Sequence, residues 1–585
     1  MWGVAALVLL AALRMYWTWA TWGDLSIDAG HEMYVPAVLS EGKMLYRDVW
    51  FHYGPASPYF NSLLFEIFGR HLAVLYFAGA LSALGSGIFL FLTAVELAFP
   101  WAGWAAGAVV IVEAFEPGLF NFPLPYSFAA VYGCLISCAL LWLLVRGLGH
   151  GGWARMATAG MLTATALLLK LEFGVAAYAA LGLAIVLRWL SHRSWKRLAQ
   201  DVAAVLPGLA ICGVVIGWMV SIRGASFITQ ENIMSWPTSF FMRTYGREWL
   251  AHTGLAWNGA ALLEALKHTV FVAGGLLAIS ELISARKRSL RGNLLLILLI
   301  LGLVAYSRLL LWRLTPLWTA QAIFFPRAMV LYTMIGAGIA IWYLGRRWTD
   351  LKAAKVVLAL LFASLLAARL MLNMQPEGYP IYYNGPVTLG YLLVLSVLFQ
   401  RYPRGGKRTR MLAVLVAGCL SVVTFHAASM SWRWRGAVPL ETPYGTLRVP
   451  ERTRENYEAA IAFIKEKAAR NESVLVLPED TSLYFLSGTH APTRVYAFNP
   501  GIVAPGEMTN ELFREIEAKN IRYLLWSNRT FVEYGVTVFG RDFNQELAHF
   551  LTERYTPVGL LVPGGEARWG LTFMVWEREE AVSKR

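Results

Sequence analysis

Charged residues are scarce in this sequence. They make up 15% of the 585 residues, whereas soluble proteins carry about 25%. Apolar residues make up 57%, and the mean hydropathy is +0.50. We therefore expect an integral membrane protein over most of the chain, which excludes a cytosolic enzyme and a disordered scaffold.

Cysteine is also rare. The four cysteines, Cys134, Cys138, Cys212 and Cys419, lie in apolar stretches and show no metal-site spacing. This excludes a secreted domain stapled by disulfides, and we predict that the four are small core residues. A cleavable signal is not visible either, because the first apolar segment has no basic region before it.

Acidic residues are in the minority, and the net charge is +14. Such an excess can indicate nucleic-acid binding. From residue 433 onward, however, the chain holds about 19 basic and 20 acidic residues, which leaves about 32 basic and 17 acidic residues in the first 432. The excess belongs to the apolar part, so we expect the lipid bilayer, and no nucleic acid, as a partner.

Long apolar runs are abundant in residues 1–432. A helix needs about 20 mainly apolar residues to span a bilayer, and about thirteen runs approach this length. This predicts a mainly α-helical polytopic membrane protein with about 13 transmembrane helices plus juxtamembrane helices. The runs lie near residues 1–22, 72–98, 101–116, 126–145, 156–170, 173–190, 202–222, 260–284, 292–312, 323–345, 354–373, 385–400 and 410–430.

Basic turns predict the orientation. Five turns between the runs contain about 19 Lys or Arg, against only Asp350 within them and Asp201 just after one of them, and short cytoplasmic loops collect basic residues. We expect a multi-pass protein of the plasma (bacterial inner) membrane whose first loop (residues 23–71), second long loop (residues 223–257) and C-terminal segment are extracytoplasmic. The basic turns are residues 146–155, 188–197, 286–291, 346–355 and 401–410.

The C-terminal segment, residues 433–585, has a different pattern. Helical spacing over residues 455–470 is followed by a buried-strand pattern over 473–477, and residues 510–520 and 521–526 repeat the same order. Helix and strand alternating in this way predict a small α/β extracytoplasmic domain. It contains no glycine-rich phosphate loop and no nucleophile elbow.

The first loop holds the densest group of polar residues. If a helix begins near residue 28, Asp28 and Glu32 fall on one face, where two carboxylates can raise each other's proton affinity and provide a general base. The alternative is that Asp28 only caps the helix. The group comprises Asp24, Asp28, His31, Glu32, Lys43, Tyr46, Arg47, Asp48, His52 and Tyr53.

Four runs in this loop carry a family resemblance: DAGHEMY (28–34), SEGKMLYRD (40–48), HYGP (52–55) and SPYFNSLLFEIFG (57–69). Over residues 24–70 the sequence resembles bacterial membrane glycosyltransferases related to the protein O-mannosyltransferases. These form the family 39-like branch of the GT-C class, which includes the lipid A aminoarabinose transferase. A weaker resemblance covers TALLLKLEFG (165–174), which is similar to the family's lysine-plus-glycine break between two helices.

The resemblance implies a GT-C fold and transfer of a sugar from a polyprenyl-phosphate donor to an acceptor on the outer face. The acceptor would be a glycan, a lipid or a protein. Many family members carry an Asp-Glu dipeptide at the catalytic position, whereas here Ala29 follows Asp28. Asp24 and Asp28 are both candidates, and we assign Asp28 as catalytic because of its register with Tyr34 and the Tyr-Arg-Asp run.

A leaving phosphate at the outer interface requires fixed cations. Basic residues within spans are costly, so they usually face a cavity or a partner. For Arg313 the alternative is snorkelling to the headgroups, and Lys170 could instead pair with Glu172. The candidate substrate-binding residues are Asp24, His31, Glu32, Arg47, His52, Tyr53, Lys170, Glu172, Arg308, Arg313 and Arg327, with Arg14 and Arg369 as further cations.

No cofactor is firmly implied. Glu113 and Glu116 are weak candidates for a divalent metal, because related GT-C oligosaccharyl enzymes bind one with acidic outer loops. The main alternative function is a multi-pass transporter or flippase of a lipid-linked saccharide, although no two similar halves are visible. A sensing domain on a membrane anchor would not require thirteen spans.

Overall fold

The structure is a computed structural model. It describes residues 2–150, 152–233, 239–247, 250, 255, 258–283, 289–309, 316–347, 349–398, 406–562 and 571–579. Arg313, one of the predicted cations, lies outside the described residues.

The described residues between 2 and 433 are mainly helical. Apolar side chains surround most of these helices on all sides, as expected where both lipid and neighbouring helices must be contacted. The helices are α1 (Trp2–Trp17), α2 (Ala29–Ser40), α3 (Ala56–Phe68), α4 (Leu72–Glu96), α5 (Pro100–Ala114), α6 (Phe128–His150), α7 (Trp153–Leu169), α8 (Leu171–His192), α9 (Trp195–Arg223), α10 (Ala225–Gln230), α11 (Phe240–Thr244), α12 (Gly259–Ile283), α13 (Leu290–Leu309), α14 (Pro316–Phe324), α15 (Met329–Arg346), α16 (Leu351–Leu366), α17 (Ile381–Leu398) and α18 (Lys407–Arg433).

Nine helices of the described residues are long and apolar enough to cross a membrane, if Trp318–Arg346 is counted as one. Four more of the predicted runs form shorter helices of 15 to 17 residues, namely α1, α5, α7 and α16. Each of the thirteen predicted runs therefore contains a helix. The prediction of a mainly helical, multi-pass membrane protein is confirmed.

Two short helices lie in the first loop. The predicted amphipathic stretch at residues 58–68 forms α3, which buries Pro58, Asn61 and Phe65 and exposes the opposite face. The other helix, α2, is buried along almost its whole length, from Ala29 to Leu39. Its buried residues are consecutive and so point in every direction around the helix axis, which means that α2 is covered on all sides.

The C-terminal segment combines helices and strands, as predicted. Its four-stranded sheet has the order β3-β4-β6-β5, in which β3 and β4 are parallel and the other pairs are antiparallel; β1 and β2 form a separate hairpin. The elements are β1 (Val438–Thr442), β2 (Gly445–Val449), α19 (Glu451–Ala469), β3 (Val474–Leu477), α20 (Ser482–Ser487), α21 (Glu507–Ala518), β4 (Tyr523–Ser527), α22 (Gln545–Thr552), β5 (Tyr555–Leu560) and β6 (Phe573–Arg578).

The C-terminal segment covers α2. The Ser482 hydroxyl donates to the Leu25 carbonyl at 2.6 Å, and the Ala491 backbone N–H donates to the Tyr34 hydroxyl at 2.9 Å. Gly30 lies at the closest approach. A Cβ on Gly30 would lie 2.2 Å from Thr481 Oγ1 and 2.3 Å from the Ser482 backbone nitrogen. A side chain at this position would therefore push α2 and α20 apart.

We predict that Gly30→Ala loosens the C-terminal segment. The extra methyl group overlaps backbone atoms, and overpacking of this kind costs about 1–3 kcal/mol. The measurements are the thermal midpoint and the rate of limited proteolysis within the C-terminal segment, and we expect a lower midpoint with faster cleavage. Gly182→Ala is the matched control, since a Cβ on Gly182 meets no atom within 4 Å. Equal proteolysis of both variants would contradict the docking of α2 against α20.

Candidate active site

Asp28 precedes α2 at its N-cap position. Its side chain makes no capping hydrogen bond, so the capping interpretation of this residue is wrong. The carboxylate instead faces His31, with 3.9 Å between Asp28 Oδ1 and His31 Nε2, and its side chain remains 22% exposed. Burial raises the pKa of Asp28 to about 7, while the charges of Arg529 and Lys170 oppose the rise.

Asp24, the other acidic candidate, forms hydrogen bonds with a neighbouring residue. Its Oδ1 accepts hydrogen bonds from the Ser26 backbone N–H at 3.0 Å and from the Ser26 hydroxyl at 2.7 Å. Such a pattern holds a turn together. The two carboxylates therefore have different surroundings, and the one at Asp28 is the carboxylate that faces other ionisable groups.

Two further predicted residues of the first loop, His31 and Glu32, lie near Asp28, and a third, His52, lies beside His31. The first is His31, which is 1% exposed and places Nδ1 3.0 Å from the Tyr496 hydroxyl. Burial raises the pKa of Glu32 to about 8, and the charge of Asp28 contributes less than burial does. The rise in pKa that each carboxylate causes in the other is therefore smaller than the rise caused by burial. Burial also lowers the pKa of His52, whose ring stacks on Trp50 at 5.3 Å.

Lys170 occupies a break between two helices, as the family resemblance implies. Helix α7 ends at Leu169, α8 begins at Leu171, and Lys170 between them has an extended backbone. Its ammonium group donates to the Tyr126 hydroxyl at 2.6 Å and lies 4.4 Å from the centre of the Tyr53 ring. An ammonium ion on an aromatic face is stabilised by the ring's quadrupole.

Glu172 joins Lys170 to a second cation. Its Oε1 lies 3.6 Å from Lys170 Nζ and accepts from Arg369 Nη1 at 2.7 Å. The same oxygen accepts from the hydroxyls of Tyr379 and Tyr383 at 3.1 and 2.9 Å. We call Lys170, Glu172 and Arg369 the cationic cluster, because two positive charges share one carboxylate.

Gly54 brings the first loop to this cluster. Its N–H donates to the Leu169 carbonyl at 3.2 Å, and a Cβ there would lie 2.0 Å from the Leu168 carbonyl oxygen. Only glycine allows so close an approach. The contact places neighbouring Tyr53 against Lys170, and the charge of Lys170 in turn lowers the pKa of Asp28. Asp28 and the cationic cluster therefore lie close to each other.

The C-terminal segment adds two charged residues that the sequence interpretation missed. Glu479 follows β3, Arg529 follows β4, and these neighbouring strands are parallel. Glu479 is fully buried; its Oε1 accepts from Asn499 at 2.6 Å and its Oε2 from Arg529 Nε at 3.1 Å. The sequence contains one indication of these two residues, because each follows a strand. Functional groups often lie at the carboxyl ends of parallel strands.

The other predicted cations lie elsewhere. Arg47 is 58% exposed and pairs with Asp48, Arg308 is exposed at the end of α13, and Arg327 lies half-buried between α14 and α15. Among the described residues, none of the three contacts Asp28 or the cationic cluster. Of the cations predicted from the sequence, Lys170 is therefore the one whose charge acts on the predicted base, and Arg369 accompanies it through Glu172.

Glu113 and Glu116, the weak metal candidates, are buried at the end of α5. Glu113 Oε2 accepts from Asn384 at 2.9 Å, and Glu116 lies close enough to Arg14 for their charges to interact. In the part of the chain that the structure describes, neither belongs to a group of three metal-ligating side chains. One such group exists there, formed by Asp28, His31 and Glu479, whose donor atoms all lie within 4.8 Å of one another.

No family model matches the sequence, and no curated protein matches it. Several solved structures align with most of this chain at low sequence identity and with TM-scores below 0.5. An oligosaccharyltransferase from Archaeoglobus fulgidus, in complex with Zn and sulfate, has a TM-score of 0.49 at 13% identity, covering 89% of this chain and 68% of that one. ArnT from Cupriavidus metallidurans, bound to undecaprenyl phosphate, has a TM-score of 0.41 at 14% identity, covering 98% and 97% of the two chains.

Identities of 13% and 14% leave the donor, the acceptor and the reaction to be argued from the residues of this chain.

Proposed function

We propose that this protein is a membrane glycosyltransferase of the GT-C type. It moves a sugar from a polyprenyl-phosphate donor to an acceptor hydroxyl at the extracytoplasmic face of the membrane. The observation that carries the proposal is the position of the Asp28 carboxylate, beside a cationic cluster at a helix break and beneath the C-terminal segment. A predicted base and a predicted anion site are thereby brought together.

The cationic cluster suits the phosphate of the donor. Lys170 and Arg369 lie where apolar spans end, so a polyprenyl chain can remain in lipid while its phosphate reaches both cations. Charge-assisted hydrogen bonds to phosphate are stronger than neutral ones. Glu172 neutralises only one of the two charges, so the cluster retains a net positive charge for an anionic ligand.

The reaction is a displacement at the anomeric carbon. The acceptor oxygen forms a bond to this carbon while the bond from carbon to the phosphate oxygen breaks, and the leaving phosphate keeps the electron pair. Asp28 takes the acceptor proton, and the cationic cluster stabilises the negative charge that develops on the phosphate. A single displacement inverts the anomeric configuration.

We predict that Asp28→Asn abolishes transfer in cells while the protein still folds. An amide cannot accept the proton, but it has nearly the same shape. Cells lacking the protein are complemented with each variant, and their envelope glycans and glycolipids are compared by mass spectrometry. Asp350→Asn is the control, because Asp350 caps α16 and Asn caps equally well. Wild-type product levels with Asp28→Asn would reject the role of Asp28.

We predict that Lys170→Ala weakens binding of the carrier phosphate. Losing one hydrogen bond to a charged group costs about 1.5–3 kcal/mol, which corresponds to a Kd increase of about ten- to a hundredfold. The measurement is the Kd of undecaprenyl phosphate for the detergent-solubilised protein. Lys196→Ala, an exposed position in the first turn of α9, should bind as the wild type does. An unchanged Kd for Lys170→Ala would reject this phosphate site.

We predict that the C-terminal segment is extracytoplasmic. All four native cysteines are buried, so a cysteine introduced at exposed Lys465 or exposed Lys196 provides a specific label site. With a membrane-impermeant maleimide, we expect Lys465→Cys to be labelled in intact spheroplasts and Lys196→Cys only after the membrane is opened. The reverse pattern would overturn the orientation and would place the candidate site on the cytoplasmic face.

A further inference from the structure

A cavity of about 420 Å³ lies at the ends of α7 and α8 that are opposite the break at Lys170. Ligand pockets in proteins commonly have volumes of about 300–1,000 Å³, so this cavity is large enough for a small polar group. It is separated from the candidate active site by the length of both helices. The polar side chains that line it are Arg188, His192, Arg197, Gln200 and Asp201.

Two of the basic turns that predicted the orientation meet at this cavity. Gly149, Gly152 and Trp153 belong to the first of these turns, and Arg188 and Arg197 belong to the second. The proposed reaction uses neither turn. Their basic residues therefore have a common location that is independent of the candidate active site.

One wall of the cavity is a buried ion pair. Arg188 and Asp201 are each 6% exposed, and the guanidinium donates to the two carboxylate oxygens at 2.8 and 3.1 Å. Nη1 of Arg188 also donates to the Gly147 carbonyl at 2.7 Å. These bonds connect α8 to α9 and to α6, so the cation at this wall has a fixed position.

The charge of the cavity suits an anion with a single negative charge. Arg188, Arg197 and Asp201 together carry a charge of +1, and His192 adds to it when protonated. A phosphodiester carries one negative charge at neutral pH, whereas a phosphomonoester carries about 1.5 to 2. The balance therefore favours a phosphodiester, which is the phosphate of a phospholipid.

The surroundings of the cavity place it at the level of lipid headgroups. Trp153 and Trp195 are 61% and 71% exposed, and tryptophan is enriched where the membrane meets water. Val186 and Val202 are also exposed, and each lies within two residues of the buried ion pair along its helix. Acyl chains that cover these valines bring their phosphates to the height of the cavity.

We propose that this cavity binds the phosphate of an anionic phospholipid such as phosphatidylglycerol, in the leaflet opposite the candidate active site. Arg197 and Arg188 donate hydrogen bonds to the phosphate, and the acyl chains lie against α8 and α9. In the predicted orientation this is the cytoplasmic leaflet, where basic pockets between transmembrane helices bind anionic headgroups. The site does not depend on the proposed reaction.

The test is binding of dioleoyl phosphatidylglycerol to the full-length protein in detergent, measured by native mass spectrometry over a series of lipid concentrations. We expect Arg197→Gln to raise the Kd of the first bound lipid about tenfold, as loss of one charge-assisted hydrogen bond does. Arg346→Gln is the matched control, because Arg346 is an exposed arginine of another basic turn and does not line the cavity. Lys170→Ala should also leave this Kd unchanged, which separates the cavity from the cationic cluster.

Three results would overturn the proposal. The first is the same Kd for Arg197→Gln and the wild type, and the second is equal affinity of the wild type for phosphatidylglycerol and phosphatidylcholine. The third is displacement of the lipid by an equal concentration of sn-glycerol 3-phosphate, which would assign the cavity to a soluble phosphate ester.

A second measurement applies if Arg197→Gln fails to fold. A ligand that binds only the folded state raises the thermal midpoint. We expect phosphatidylglycerol to raise the midpoint of the wild type more than phosphatidylcholine does. An equal effect of the two lipids would contradict an anionic-headgroup site.

Discussion

Burying an ionised side chain is costly unless an opposite charge or hydrogen bonds offset the lost hydration. This constraint dominates the region where the first loop, the break between α7 and α8, and the edge of β3 and β4 meet. Glu479 there is completely buried, and Lys170 is 7% exposed. Each has partners of opposite charge or polar neighbours, and the positions of three chain segments follow from those partnerships.

The charges in this region are arranged on two sides of Asp28. On the membrane side, Lys170 and Arg369 share Glu172 among tyrosine rings. On the C-terminal side, Arg529 binds Glu479. Asp28 therefore interacts with a cation from each side, and neither cation forms a hydrogen bond with it among the described contacts. A carboxylate that has no direct cationic partner among the described contacts is available to a substrate, which is what the proposed reaction requires.

Glycines make this convergence sterically possible. Gly30 lets α2 lie against α20, and Gly54 lets the first loop reach the helix break. Both contacts involve backbone atoms that have no room for a Cβ. The close packing of the three segments thus depends on Gly30 and Gly54, which have no reactive side chain. The structure requires these two glycines as much as it requires the charged residues nearby.

Hydropathy alone was enough to locate the spans, because apolar length and helical backbone bonding are local properties. The helix and strand repeats of the C-terminal segment were predictable for the same reason, since periodicity is visible within ten to twenty residues. The motif in the first loop also pointed to Asp28, and the residues around Lys170 pointed to a helix break. Even there, the capping interpretation of Asp28 was wrong because a cap depends on a side-chain rotamer that spacing does not determine.

Local sequence therefore determined the membrane class, the helical elements and the residues that attract attention in the first loop. Only the tertiary structure decided that Glu479 and Arg529 join Asp28, and that Arg369 rather than Arg308 accompanies Lys170. Those pairings link residues separated by hundreds of positions. They form because a buried charge is stable only next to an opposite charge or a hydrogen-bonding group. The order of residues along the chain does not show which of these groups will be close in the folded protein.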